Sequence, residues 1–102
     1  MDGKIVRIAE LEIDPGQLEP YRALLAEEIE ASVAKEPGVL MLHAVAERER
    51  PEHNRNLEVY ADRTAYEAHL LTPHFLKYKE GTAGMVRSLR LVDVDPVMMR
   101  GK

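Results

Sequence analysis

The stretch from Asn56 to Phe75 reads NLEVYADRTAYEAHLLTPHF, and it predicts a strand followed by two short helices. Aliphatic residues alternate with other residue types in Asn56–Tyr60, which is typical of a strand with two distinct faces. Asp62 is a favourable N-cap for a helix over Arg63–Leu71. Thr72-Pro73 then has the pattern of an N-cap followed by a first-position proline, so a further helix is expected to begin there.

Upstream of this stretch, the chain predicts a strand and one long helix. Lys4–Ile13 is rich in β-branched residues and alternates at its end, which indicates the first strand. Asp14-Pro15 marks the start of the helix, and Glu36-Pro37-Gly38 marks its end, because proline restricts the preceding residue and glycine permits a turn. The apolar residues of the helix recur at three- and four-residue steps and predict one buried face: Leu18, Tyr21, Leu24, Leu25, Ile29 and Val33.

The remaining segments complete a β-α-β-β-α-β order with a broken second helix. Val39–Glu47 is predicted as the second strand, and the polar segment Arg48–Arg55, which includes His53, as an exposed loop. The third helix is expected to reach about Lys79, and Ser88–Val94 alternates as the last strand. This order is typical of an α+β, ferredoxin-like fold with an antiparallel sheet.

The second predicted strand also suggests a partner subunit. Its residues are apolar at odd and even positions alike, as in a strand that is covered on both faces. One layer of helices covers only one face of a small sheet, so a second copy of the chain is the economical cover for the other face. The apolar Val97-Met98-Met99 lies beyond the last strand, and the tail 95–102 either packs on this partner or is a frayed end.

Composition narrows the classes of function. The 102 residues fit one domain spanning 1–102, and the formal net charge of -4 disfavours nucleic acid and anionic membranes as partners. The chain has no cysteine, which excludes disulfides and thiolate chemistry and is consistent with a reducing compartment. The N-terminal sequence contains no uninterrupted apolar run, so a cytoplasmic location is expected.

The segment from Glu58 to Phe75 resembles the antibiotic biosynthesis monooxygenase (ABM) family, which includes small bacterial quinol monooxygenases. The most specific features are Glu-x-Tyr-x-Asp, beginning at Glu58, and His-x-x-x-Pro-His-Phe, beginning at His69. Glu36-Pro37-Gly38 is also similar to that family's pattern, and the likeness extends over nearly the whole chain. The resemblance implies a homodimeric α+β barrel with a pocket between the sheet and the helices of each subunit.

The implied activity is a cofactor-independent monooxygenase acting on a quinol or polyphenolic small molecule. Two other functions stay open: a non-oxidative isomerase of a small hydroxy-carbonyl compound, and a non-catalytic dimer that binds a small ligand. Fold alone does not choose among them. Haem-degrading relatives use a tryptophan and a histidine where this chain has His69 and Lys79, so haem breakdown is disfavoured.

His69 and His74 are the predicted catalytic residues, as acid/base or oxygen-positioning groups. His69 follows Tyr66 by three residues on one helix face, so the two side chains could share a ligand. His74 would be the second residue of a helix, where the positive end of the helix dipole favours a neutral imidazole. Structural roles are the alternatives: a satisfied core histidine for His69, and a backbone contact at the helix junction for His74.

Further side chains are predicted to bind substrate, and no metal is expected. The predicted substrate-binding residues are Tyr66, Tyr60, Glu58, Phe75, Tyr78 and His43. Glu58 and Tyr60 share one strand face, and the more economical role for a covered Glu58 is a buried salt bridge with Arg7 or Arg90. Tyr78 could instead be a core or rim residue, and His43 a structural one. The five-residue spacing of His69 and His74 matches no zinc motif.

Overall fold

A computed structural model describes residues 3–102 of the chain. The elements, in order, are β1 (Ile5–Ile13), a short 3-10 turn (Pro15–Gln17), α1 (Leu18–Lys35), β2 (Val39–Ala46), β3 (His53–Tyr60), α2 (Arg63–His69), α3 (Pro73–Thr82) and β4 (Val86–Asp93). The strands form one antiparallel sheet in the order β2-β3-β1-β4. The protein therefore has the expected α+β, ferredoxin-like fold, with a four-stranded sheet that is not closed within the chain.

Helix starts follow the capping residues named above. The Asp14 side chain accepts a hydrogen bond from the backbone N–H of Gly16, and Asp62 accepts one from Ala65 at 2.8 Å. Thr72 accepts one from the backbone N–H of Phe75 at 3.3 Å. Each cap satisfies a backbone donor that has no partner inside its own helix. Local sequence thus determines where α2 and α3 begin.

The turn between α1 and β2 is packed closely against α2. A Cβ atom on Gly38 would overlap the Cβ of Ala65, so only glycine fits at this position without displacement of the helix. The backbone N–H of Ala61 donates to the carbonyl of Gly38, which ties the end of β3 to the same turn. This contact brings the end of α1 close to α2 and α3.

The apolar core lies between the helices and one face of the sheet. One cluster of buried residues joins β1 to α1, and a smaller one joins β2 to β3; their buried members are Ala9, Leu11, Ile13, Tyr21 and Leu25 in the first and Val39, Leu42 and Tyr60 in the second. Burial of these side chains is the main favourable term for the fold.

The predicted buried face of α1 was partly wrong. Val33 is 51% exposed, whereas Glu28 and Ser32 are buried at the same spacing as Tyr21 and Leu25. Residues 21, 25, 28 and 32 follow the helical repeat, so the buried stripe includes two polar residues that an apolar pattern does not reveal.

Several boundaries also differ from the sequence-based expectation. The third strand begins at His53, not Asn56, because residues 53–55 pair with β1 and residues 54–55 also pair with β2. His53 is therefore part of a strand and half-buried, not an exposed loop residue. α2 ends at His69 and α3 extends to Thr82. β4 begins at Val86, two residues earlier than expected. Long-range pairing decides the strand limits, and local propensity does not detect it.

Strand β2 is covered only in part within one chain. Val39 and Leu42 are buried, whereas Leu40 and Val45 are 47% and 65% exposed. Its expected cover by a second subunit stays a prediction. None of the helices in residues 3–102 has the length and apolar character needed to cross a membrane.

Candidate active site

A cavity of about 780 Å³ lies between the helices and the inner face of the sheet, a size typical of small-molecule sites. Much of its wall is aliphatic or aromatic, with contributions from Leu25, Ile29, Leu42, Leu70, Phe75, Leu89 and Leu91. The polar side chains in the wall include Arg7, Glu58, Tyr60, Tyr66, His69 and Asn56. The six residues predicted to bind substrate all border this one cavity.

Arg7 of β1 and Tyr66 of α2 form one polar wall of the cavity. The Nη1 atom of Arg7 donates to the Tyr66 hydroxyl at 2.6 Å, and its Nε donates to Asp93 at 2.9 Å. The guanidinium carbon also lies 4.6 Å from the centre of the Tyr66 ring. Because both bonds fix the guanidinium, a permanent positive charge is held at this wall of the cavity.

Glu58 lies opposite Arg7 in the sheet, but the expected buried salt bridge is absent from the described residues. Arg7 directs its donors to Asp93 and Tyr66, while Arg90 pairs with Glu10 at 2.9 Å on the other face of the sheet. Glu58 instead accepts a hydrogen bond from Tyr60 at 3.2 Å. Burial raises the pKa of the Glu58 carboxyl, and the charge of Glu28 adds to that effect.

Asn56 of β3 contributes a polar group that the sequence did not indicate. It is 9% exposed and borders the cavity, and its Oδ1 atom has no hydrogen-bond partner among the described residues. A buried amide oxygen without a donor is uncommon in folded proteins. It is therefore available as an acceptor for a ligand hydroxyl.

Tyr78 of the cavity wall is paired with the buried Tyr21 of the core. The hydroxyl groups of Tyr21 and Tyr78 lie 2.7 Å apart, and their rings meet edge to face with centroids 6.0 Å apart. Burial raises the pKa of both hydroxyls, so both phenols stay neutral. Phe75 packs beside Tyr78, with ring centroids 6.2 Å apart. Tyr78 is thus both a core residue and a cavity residue.

His69 is held between two carboxylates. Its Nδ1 atom lies 3.0 Å from Oε2 of Glu36, and its Nε2 atom lies 3.2 Å from Oε1 of Glu28. The side chains of His69 and Glu28 are 3% and 7% exposed. Glu28 also accepts a hydrogen bond from Ser32 at 3.0 Å. An imidazole that donates to both carboxylates must carry both of its protons.

The pKa shifts agree with this arrangement. Burial alone lowers the pKa of His69, but hydrogen bonds to Glu28 and Glu36 outweigh it and raise the pKa above its ordinary value. Burial alone raises the pKa of Glu36, but hydrogen bonds from His74 and His69 outweigh it and lower the pKa. The imidazolium and carboxylate forms therefore stabilise each other.

His74 lies behind this group and is not part of the cavity wall. Its Nε2 atom is 2.6 Å from the same Oε2 atom of Glu36. The sequence suggested a neutral imidazole governed by the helix start, or a backbone contact, but the neighbour that the structure provides is a carboxylate from the end of α1. His74 therefore reaches the cavity only through Glu36 and His69.

His43 borders the cavity from the edge strand β2. His43 pairs with Leu57 and is adjacent to Leu42 in β2, so the two side chains point to opposite faces of the sheet; that of Leu42 is in the core.

Glu28 and Glu36 were not identified as site residues from the sequence. The available indication was the position of Glu28 at the helical repeat of Tyr21 and Leu25.

Comparison with known proteins agrees with the fold. The family model described as antibiotic biosynthesis monooxygenase matches residues 4–81. A crystal structure from Bacteriodes thetaiotaomicron VPI-5482, provisionally named an antibiotic biosynthesis monooxygenase, is 53% identical, with 98% of this chain and 97% of that chain covered and a TM-score of 0.96.

Two more distant structures have the same fold. A provisionally named monooxygenase from Lactobacillus acidophilus NCFM is 27% identical with a TM-score of 0.87. The match spans 93% of this chain and 51% of that chain. A provisionally named family member from Nitrosomonas europaea is 20% identical with a TM-score of 0.88, over 99% of this chain and 97% of that chain. No curated protein matches the chain. On the match to residues 4–81, the chain belongs to the antibiotic biosynthesis monooxygenase family.

Proposed function

We propose that the protein is a cofactor-independent monooxygenase that oxidises a quinol or a related polyphenol. The observation that carries the proposal is the largely apolar cavity whose wall includes the polar groups of Arg7, Glu58 and Asn56 beside aromatic side chains. Aliphatic and aromatic walls suit a planar ring, and the polar groups suit its hydroxyl substituents. Family membership supports the same class of reaction.

Glu58 is the proposed acceptor of the phenolic proton. Burial raises the pKa of the Glu58 carboxyl towards neutral pH, and a general base is most effective when its pKa is near the working pH. Tyr60 donates to Oε1, so the second carboxyl oxygen would take the proton. Arg7 would stabilise the resulting phenolate, and Tyr66 holds Arg7 in place. Asn56 would accept a hydrogen bond from another hydroxyl of the substrate.

The proposed reaction balances without an added reductant. The phenolate donates electrons to dioxygen, and one oxygen atom is inserted at a ring C–H bond while the other leaves as water. The quinol loses four electrons in total and becomes a hydroxyquinone, and these electrons reduce dioxygen fully. The protein's contribution is to bind the ring, remove a proton and exclude bulk water.

The two histidines have unequal roles in this proposal. His69 borders the cavity and, as a cation, supports the ionised form of the substrate from behind Tyr60; their ring centroids are 5.3 Å apart. His74 is a positioning residue that acts on His69 through Glu36. Both histidines were expected to be acid/base or oxygen-positioning groups. In this proposal only His69 lies at the cavity wall, and His74 acts indirectly.

We also propose that residues 1–102 act as a single domain in a homodimer. Ile8 and Leu57 pair with each other on the face of the sheet opposite to Arg7 and Glu58, and both are only partly buried within one chain, so a second copy would complete their cover. Val97 is 101% and Met98 80% exposed, which supports packing of the tail 95–102 on the partner. The absence of cysteine supports a cytoplasmic location. A monomeric mass at micromolar concentration would exclude the dimer.

The activity is tested by oxygen uptake with a panel of hydroquinones. Tag-free, chelator-treated protein is compared with heat-denatured protein, and the product formed under labelled dioxygen is examined by mass spectrometry for a single heavy oxygen atom. Glu58→Gln is expected to lower kcat/KM by about 10²-fold or more. Glu27→Gln, at an exposed position of α1 where the carboxylate pairs with Lys77, is the matched control and should retain activity.

Other outcomes of this experiment separate the alternative functions. Uptake equal to that of the denatured control for every quinol would refute the monooxygenase proposal. Deuterium incorporation from heavy water into a hydroxy-carbonyl compound, without oxygen consumption, would identify an isomerase. Tight quinone binding without any product would identify a binding protein.

A further inference from the structure

We propose that Glu36, His69 and His74 form a binding site for a first-row divalent metal ion such as Zn²⁺. The donor atoms are Oε2 of Glu36, Nδ1 of His69 and Nε2 of His74, and all three lie within 4.8 Å of one another. They come from the end of α1, the end of α2 and the start of α3. The proposal concerns the junction of the helices, and because the ion replaces a proton on His69, it describes a metal-bound state distinct from the metal-free state used for the cavity chemistry above.

The donor set suits such an ion. Two imidazole nitrogens and one carboxylate oxygen are the ligands of many zinc sites, with a fourth position left for water. A tetrahedral zinc ion at about 2.1 Å from each donor requires donors about 3.4 Å apart. Oε2 of Glu36 now lies 3.0 Å from the His69 nitrogen and 2.6 Å from the His74 nitrogen. Small side-chain rotations would therefore make room for the ion.

A second carboxylate supports the proposed ligand His69 from its other side. Oε1 of Glu28 lies 3.2 Å from Nε2 of His69, and Ser32 donates to the same Glu28 oxygen at 3.0 Å. Metal-binding histidines commonly donate their second ring N–H to a carboxylate, which fixes the tautomer and orients the ring. Glu28 would thus keep the proton on Nε2 and leave the Nδ1 lone pair for the metal.

Charge balance gives the same conclusion. Glu28 and Glu36 place two carboxylates in a largely buried position, with side-chain exposures of 7% and 14%. Such charges need a positive partner, which is either a set of imidazole protons or a metal ion. With one divalent ion and neutral imidazoles, the cluster has a formal net charge of zero. Metal and protons would therefore compete for the same atoms.

The ion would approach from outside the cavity. His74 and Glu36 are 12% and 14% exposed in their side chains, whereas His69 is 3% exposed and forms the inner side of the cluster. Histidine spacing along the chain concealed this arrangement, because the third donor lies 33 residues before His69.

The test is titration of tag-free, chelator-treated protein with Zn²⁺ by calorimetry, and with Co²⁺ by visible absorption. Wild-type protein is expected to bind one ion per chain with release of protons, and Co²⁺ should give the absorption of a histidine-ligated site. His74→Ala and Glu36→Gln should each weaken binding at least tenfold. Glu28→Gln should weaken it about 10- to 100-fold.

The remaining histidines provide matched controls. His43→Ala and His53→Ala remove an imidazole from β2 and from β3 and should leave affinity and the Co²⁺ spectrum unchanged. Wild-type protein that binds no ion at 1 mM, or binds without proton release, would overturn the proposal, and this measurement needs no variant. The proposal would also be overturned if folded His74→Ala bound Zn²⁺ as tightly as wild type, or if a control variant lost the site. The oxygen assay uses chelator-treated, metal-free protein, whereas this titration measures metal binding alone. Failure of one proposal is therefore distinguishable from failure of the other.

Discussion

His69 at the end of α2 and Glu28 of α1 form a buried pair, with Nε2 of the imidazole 3.2 Å from Oε1 of the carboxylate. Both side chains are almost entirely removed from water, at 3% and 7% exposure. A polar pair at such depth is stable only while both members are present, because either one alone is a buried group without its partner.

Glu28→Ala is therefore expected to be strongly destabilising. It removes one carboxylate from His69 and one of the two acceptors of the Ser32 hydroxyl, and the loss should be about 3 kcal/mol in the free energy of unfolding. The measurement is urea denaturation followed by circular dichroism. Glu27→Ala, the neighbouring residue with an exposed Lys77 partner, is the matched control and should change stability by less than about 1 kcal/mol. Equal losses in the two variants would contradict the interpretation.

Gly38→Ala is expected to lower stability by about 1–3 kcal/mol, because the new Cβ would overlap the Cβ of Ala65 on α2. Thermal unfolding measures the effect. Gly84→Ala is the control, since a Cβ there meets no atom within 4 Å, and it should be neutral or slightly stabilising. Adding Ala65→Gly to Gly38→Ala should restore part of the loss. A tolerated single variant would show that the turn is free to move.

The hydroxyl pair of Tyr21 and Tyr78 predicts a non-additive double mutant. Tyr21→Phe leaves the Tyr78 hydroxyl without its 2.7 Å partner, and each single variant should lose about 1 kcal/mol. The double variant removes both hydroxyls, so it should be closer to wild type than the sum of the singles. Urea denaturation of all four proteins gives the coupling energy. Strict additivity would mean that the hydroxyls do not interact.

Glu58→Gln is expected to change the pH dependence of stability. Arg7 of β1, Tyr60 of β3, Glu28 of α1 and His69 of α2 all influence Glu58, and burial raises its pKa in the folded state. The folded protein thus holds the proton more tightly than the unfolded chain. Ionisation of Glu58 destabilises the fold above its folded pKa, and this cost disappears below its unfolded pKa.

The variant should therefore be more stable than wild type at neutral pH and equal to it in acid. Thermal unfolding from pH 4 to pH 8 measures the difference. Glu27→Gln, whose carboxylate lies at the surface and pairs with Lys77, should show no such pH-dependent gain. A stability difference between wild type and Glu58→Gln that shrinks as pH rises would reverse the sign and refute the argument.

Local sequence determined the order of the elements and most of the helix limits. Asp14, Asp62 and Thr72 were identified as caps from residue type and spacing, and each forms the expected side-chain bond because capping involves only near neighbours along the chain. The alternation in β3 likewise placed Glu58 and Tyr60 on one face, where both border the cavity. These features follow from periodicities that the backbone imposes within a few residues.

Only the tertiary structure decided how the polar groups are paired. The start of β3 at His53 depends on pairing with two distant strands. Glu36 meets His69 and His74 over sequence separations of 33 and 38 residues, and Arg7 bonds to Tyr66 rather than to Glu58. Such partners are selected by the packing of α1 against α2 and α3 and by the register of the sheet. Helix packing and sheet register leave no local periodicity in the sequence, so the sequence alone did not predict which charged groups are paired in the site.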